Sequence, residues 1–323
     1  MRPMLKPALA RVWRDEATLQ IGLDPERSVV VGGVDPALAR VLDRFDGTCE
    51  LTSLLADAAG EARQRILRLV SLLSSAEVLD DASTVGGPGW SRVPPVERQR
   101  LLAEMRAVSV VRGGSDGGAA AMERRLQAVV QVVGSGPVAD GVSAQLRAAG
   151  VGRVDQAGIP RPPTELPLHP RPELVVLAGR SWLDPPVLAT LMREGVPHLV
   201  ARLSETLGVV GPLVLPGRSS CLRCQHLLRA ARDPAWPRVH AQLIGAPPPT
   251  AAHAVLAAAV AAHAALQALA LIEGDGRGQP PVTVDGQLEI DAATGAVRRR
   301  SWSIHHACGC DWDTPESGDA DAA

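Results

Sequence analysis

Ala128-Val-Val-Gln-Val-Val133 runs directly into Gly134-Ser-Gly136-Pro-Val-Ala139, and the stretch 142–149 that follows has the pattern of a helix. Gly152-Arg-Val154-Asp155 then reads as the next strand, with its acid 21 residues after the first glycine. Strand, glycine turn, helix, strand is the context a dinucleotide-type phosphate-binding fingerprint requires. Gly134 permits the tight turn. Gly136 lets a phosphate approach the backbone, and Ala139 allows close helix packing. The helix N-terminus favours an anion, and Asp155 is placed to hydrogen-bond a ribose. The plainer alternative is a tight turn kept for packing alone.

Outward from this Rossmann-like unit, 174–177, 197–201, 281–283, 288–290 and 297–304 read as strands. Residues 207–215 read as a strand pair and 185–194 as a helix started by Asp184. Two cysteine pairs close the region. Cys221-Leu-Arg-Cys224 follows Pro216-Gly217, and Cys308-Gly-Cys310 lies 84 positions beyond Cys224. Thiolates two or three positions apart can reach one ion, and two such pairs complete a tetrahedral tetrathiolate site. Cys221, Cys224, Cys308 and Cys310 are therefore candidate ligands of a structural zinc. The alternatives are buried free thiols and a disulfide. Such a site has no open position for water, which disfavours hydrolytic chemistry. His226, His305 and His306 flank the pairs in supporting or surface roles, and Cys49 stands alone, expected to be buried.

Composition limits the function classes. The 323 residues are 46% hydrophobic, with a net charge of -2, no tyrosine and one phenylalanine. Two domains fit this length. No basic patch implies nucleic acid. Met1-Arg-Pro-Met-Leu-Lys-Pro has no apolar signal region, which points to the cytoplasm, where thiols stay reduced. Residues 251–272 are nearly all apolar but mostly alanine, and His253, His263 and Gln267 interrupt them. They read as a buried helix of a soluble domain, N-capped by Thr250 and ended by Gly274, rather than a membrane span.

Before the glycine turn, 19–21 and 28–31 look like strands around Asp24-Pro25. Asp35-Pro36 starts a helix, a second follows Glu50, and 62–74 forms a third whose buried stripe is Ile66, Leu67, Val70 and Leu73. This reads as a small winged-helix-like α+β domain over 1–85. A linker with one helix spans 86–118, the second domain covers 119–313, and 314–323 is an acidic, disordered tail.

Two resemblances rest on these residues. Val41-Leu-Asp-Arg-Phe-Asp-Gly47, with the helices after it and Ala-Glu-Val-Leu-Asp at 76–80, resembles PqqD-type domains. That implies binding of a leader peptide as an added strand; the alternatives are a structural or dimerising winged helix and, less favoured, a DNA-binding one. Ala-Ala-Gly-Val-Gly-Arg-Val-Asp (148–155), Glu-Leu-Val-Val (173–176), Gly-Val-Pro-His-Leu-Val (195–200) and Pro-Gly-Arg-Ser-Ser-Cys-Leu-Arg-Cys (216–224) resemble ThiF-type adenylyltransferases, relatives of ubiquitin-activating enzymes. The ending His305-His-Ala-Cys-Gly-Cys310 is similar to the branch associated with YcaO-type cyclodehydratases and thiazole/oxazole-modified peptides.

The resemblance implies a homodimer, an ATP site at Gly134, Gly136, Ala139 and Asp155, and a peptide or protein substrate. It also shows departures. Arg180 stands where active members have a magnesium-handling aspartate. Their Asn-Leu-Asn-Arg-Gln-like run is absent after Asp155, with Arg161 the alternative cation. The expectation is thus a catalytically impaired subunit that presents a peptide to a partner cyclodehydratase. The alternatives are an active adenylyltransferase acting on a peptide or protein carboxyl terminus and a non-catalytic regulatory scaffold.

Overall fold

The computed structural model describes residues 1–84, 86, 88–158, 168, 170–179, 185–245, 253–274 and 279–311. Two compact units divide the chain, the first Met1–Leu126 and the second running on from Gln127.

The first unit contains β1 (Pro3–Leu5), β2 (Arg11–Asp15), β3 (Thr18–Ile21), β4 (Val29–Val31), α1 (Pro36–Asp43), α2 (Leu51–Ala56), α3 (Gly60–Ser75), β5 (Leu79–Asp81), α4 (Pro88–Arg92), α5 (Pro95–Arg112) and α6 (Ala119–Gln127). Strands β2, β3 and β4 form an antiparallel meander, while β1 pairs with β5. As expected, Asp35 caps α1: its carboxylate accepts the Leu38 N–H at 2.8 Å, with Pro36 in the first turn. Arg65 of α3 holds the other carboxylate oxygen at 2.7 Å. The α3 stripe differs by one position from expectation. Ile66, Leu69, Val70 and Leu73 are buried, whereas Leu67 is 43% exposed. The helical period places Leu67 about 100° from Ile66, beyond the edge of the core. Strands β1 and β2 lie outside the sequence expectation. The expected linker with one helix carries two, α4 and α5.

A buried polar knot ties this unit together. Lys6 and Asp80 are each 1% exposed, with Nζ 3.6 Å from the carboxylate. Lys6 donates to the Ser109 carbonyl of α5 at 2.6 Å, and the Ser109 hydroxyl donates to Asp80 at 3.0 Å.

The second unit contains β6 (Val129–Gly134), α7 (Pro137–Ala148), β7 (Arg153–Ala157), β8 (Leu174–Ala178), α8 (Pro185–Arg193), β9 (His198–Ser204), β10 (Leu207–Val214), α9 (Leu222–Arg232), α10 (Trp236–Gly245), α11 (Ala254–Glu273), β11 (Gly286–Asp291) and β12 (Val297–Ser301). Its seven-stranded sheet runs β12-β11-β10-β9-β8-β6-β7. From β7 to β9 the pairs are parallel; from β9 to β12 they are antiparallel. Two strand expectations change. Residues 207–214 form one bulged strand rather than a pair, and 282–285 are turn.

The apolar helix α11 is, among the described residues, the one helix long and apolar enough to cross a membrane. It packs on α7, β9 and β10, burying Ala257, Val260, Ala261, Ala264 and Ala268. Alanine suits it because α7 comes so near: a Cβ on Gly141 would sit 2.8 Å from Ala261 Cβ. His253, rather than Thr250, supplies the cap, its Nδ1 accepting from Leu256 N–H at 3.2 Å. Thr250, Asp184 and residues 314–323 lie outside the described residues.

Candidate functional site

The tight turn after β6 has a steric cause. Gly134 adopts φ 147°, and a Cβ there would run into the Ala178 carbonyl oxygen at the end of neighbouring β8. Two parallel strands thus end in backbone contact. Gly136 (φ 87°) precedes α7, with no side-chain cap, and among the described residues nothing lies within 4 Å of a Cβ built there. Among the described residues the space above this backbone is open, as a phosphate approach requires. Ala139 is fully buried, which fits close packing of α7 on the sheet.

Asp155 is placed differently. It pairs with Gln131, three residues before Gly134, and at the end of the β6–β7 ladder Val133 faces Ala157. Its carboxylate accepts from Arg153 Nε at 2.7 Å. In a doubly wound sheet ligands sit beyond the carboxyl ends of the strands, so the register holds Asp155 back from the turn. Strand register is a property of the pairing, and counting from the first glycine cannot see it. Asp140, in the first turn of α7, accepts from Gln156 Nε2 at 2.7 Å and puts a carboxylate near the open turn. Arg161, Arg180 and Ser181 lie outside the described residues.

The four paired cysteines do meet. Cys221 precedes α9 and Cys224 lies in its first turn; Cys308 and Cys310 follow β12. The loop before α9 is fixed by Leu215 N–H donating to Ser219 Oγ at 2.8 Å and Ser220 N–H donating to Asp285 at 2.7 Å. Cys221 lies 3.5 Å from Cys308 and 3.9 Å from Cys224; Cys224 lies 3.3 Å from Cys310. All four sulfurs fall within 4.8 Å of one another, and all four residues are buried. A tetrahedron with metal–sulfur bonds of about 2.3 Å has edges of about 3.8 Å, and these separations bracket that value. The cluster could therefore hold a metal such as zinc. Burial pushes the Cys308 and Cys310 thiols up, with neighbouring sulfurs adding to it. The His305 N–H donates to Cys224 Sγ at 3.4 Å.

The flanking histidines are otherwise engaged. His226 Nδ1 accepts from Trp236 Nε1 at 3.3 Å, and its ring lies 3.7 Å from that of His240. His305 and His306 stack on each other at 4.5 Å. The expectation for Cys49 needs correcting. It is half-buried in the chain turn after α1, its thiol held below the usual range by the Thr48 hydroxyl and then the Arg44 guanidinium.

In the first unit, β4 is an edge strand of its sheet. Val30 on β4 and Leu72 on α3 are each 48% exposed. The opposite edge strand, β2, is exposed at all five positions, including Trp13.

No protein-family model matches the sequence, and no curated protein matches it at the significance required. Solved structures do. Escherichia coli MccB with ATP superposes with a TM-score of 0.65 at 14% identity, over 96% of this chain and 99% of that one. The microcin C7 biosynthetic enzyme MccB in complex with N-formylated MccA gives 0.64 at 14% identity, over 96% and 100%. The heterocyclase TruD gives 0.67 at 16% identity, over 97% of this chain and 43% of that one. Across nearly its whole length, this chain therefore has the fold of MccB and of a part of the heterocyclase TruD.

Proposed function

We propose that this chain is a peptide- or protein-binding subunit, a leader-recognition module fused to a catalytically impaired ThiF-like domain of the cyclodehydratase-associated branch. It presents its ligand to a partner ATP-dependent cyclodehydratase and works as a homodimer. The observation that carries this reading is the shared fold. One chain matches, over 97% or 96% of its length, both a heterocyclase and a biosynthetic enzyme crystallised with the peptide MccA. Within the proposed 1–85 recognition domain, the edge of β4 offers an added strand backbone partners, and Val30 on β4 and Leu72 on α3 are exposed apolar side chains. Residues 119–313 would form the ThiF-like domain, joined through 86–118 and followed by the tail.

Cys221, Cys224, Cys308 and Cys310 would hold a structural zinc, joining the segment after β10 to the one after β12. When bound, the ion supplies cross-linking and charge balance and leaves the protein no open coordination position. The adenylation machinery fits less well. Transfer of a nucleotide needs cations and magnesium around the phosphates. The described turn offers instead bare backbone, the Asp140 carboxylate, and an Asp155 engaged by Arg153 two residues before β7 ends.

A second reading, an active adenylyltransferase, is favoured by the open backbone at Gly136 and by the ATP-bound MccB structure. Two assays on the full chain separate them. The first reading expects no magnesium-dependent ATP–pyrophosphate exchange. It also expects saturable binding of a precursor peptide, lost in a Val30→Asp, Leu72→Asp double variant. Exchange that Gly136→Val abolishes would establish the enzyme instead, and wild-type chain that binds no precursor would point to a scaffold.

A further inference from the structure

A cavity of about 440 Å³ opens beside the cysteine cluster, between α8 and the α9–α10 pair. This volume lies in the range of small-molecule sites, which are mostly apolar with a few placed polar groups. Leu188 and Met192 of α8 and Leu222 of α9 supply apolar wall. Lining residues on the floor, His198 at 1% exposure and Cys221, Cys308 and Cys310, are buried; at the rim Arg223 is exposed. No Asp or Glu is among the described lining residues, so Arg223 is their one fixed cation.

His198 carries a definite tautomer. Its Nδ1 lies 3.0 Å from the Val196 carbonyl. A carbonyl only accepts, so Nδ1 holds the proton and Nε2 is left as an acceptor. Full burial keeps the ring neutral, in line with this role. The floor thus offers an acceptor and sulfur, which favour a donor, while the rim offers a guanidinium, which favours an anion.

We propose that this cavity binds a small aromatic carboxylate whose ring carries an N–H or O–H donor, with the donor end on His198 and the carboxylate at Arg223. The assignment is independent of the adenylation and leader-binding readings, since it uses none of their residues.

Indole-3-propionate and the peptide N-acetyl-Gly-Trp, titrated calorimetrically into metal-loaded full-length protein, test it. At least one should bind saturably, and the stronger of the two shows whether the free acid or a peptide C-terminus is the better fit. Removing the carboxylate, as in 3-methylindole, or the donor, as in 3-phenylpropionate, should weaken binding about tenfold. Arg223→Gln should remove the preference for the acid over 3-methylindole. Leu188→Trp, which fills the cavity from its half-buried wall, should abolish binding while circular dichroism and metal content stay unchanged. Failure of both probes to bind, or binding that survives Leu188→Trp, would overturn the proposal. Loss of pyrophosphate exchange or of precursor binding would not affect it.

Discussion

Each unit of this protein buries ionisable groups, but the two satisfy them by different means. In the first, Lys6, Asp80 and Ser109 form a closed set: an ammonium and a carboxylate 3.6 Å apart, with the Ser109 hydroxyl and carbonyl taking up further hydrogen bonds. The chain supplies both charges. In the second, four sulfurs lie within 4.8 Å and none carries positive charge. Ionised, they repel; protonated, they are poor acceptors in a small buried space. A divalent cation would resolve the conflict, and such an ion would come from outside the chain. A self-neutralised knot survives dialysis, whereas a cluster of one sign depends on its surroundings.

The largest expected effect strikes the second unit. Removing metal with a strong chelator should lower its Tm by at least about 20 °C, since a structural zinc contributes on the order of 10 kcal/mol. Scanning calorimetry with metal analysis checks this, and the same Tm with and without metal would erase the contrast. The next falls on the first unit. Lys6→Met strands Asp80, whose carboxyl burial already pushes up, and should destabilise by about 3–5 kcal/mol. Adding Asp80→Leu should restore most of that loss, and chelator should leave the ranking unchanged. Denaturant melts of the two variants would show whether the pair acts as a unit.

The smallest effect concerns His198, a buried ionisable group that neither scheme neutralises. Burial holds it at about 4, against 6.5 for a free imidazole. Between those values the unfolded chain binds a proton that the folded chain refuses, so stability is fully present above about pH 6.5 and falls as pH drops toward 4. The loss is about 3 kcal/mol. His198→Gln, compared with wild type in metal-loaded samples at pH 7.5 and 5, should show the shallower dependence. Parallel slopes would mean that the imidazole titrates freely.

Much was legible in sequence because it is local. The run into Gly134, the Asp35-Pro36 helix start and the cysteine spacings each depend on neighbouring residues. The α9–α10 pair escaped the reading, as α9 buries Cys224 and Gln225 rather than aliphatic side chains and none of residues 236–244 in α10 is buried; the Arg229 guanidinium lies over the Trp236 ring at 4.9 Å. Lys6 and Asp80 look like ordinary surface charges until β1 and β5 pair. Nothing near His198 marks it as the floor of a cavity, since Pro197-His-Leu-Val-Ala201 reads simply as a strand.

By itself the sequence determined that a glycine turn would join strand to helix and that paired thiols were available to one ion, because both follow from covalent spacing and side-chain size. Only the tertiary structure decided that the four sulfurs meet, that Asp155 stops short of the turn, and that a cavity with an acceptor floor and a cationic rim opens between α8 and α9. Those are consequences of register and packing, which join residues up to 89 positions apart (Cys221 and Cys310), and no local pattern encodes them.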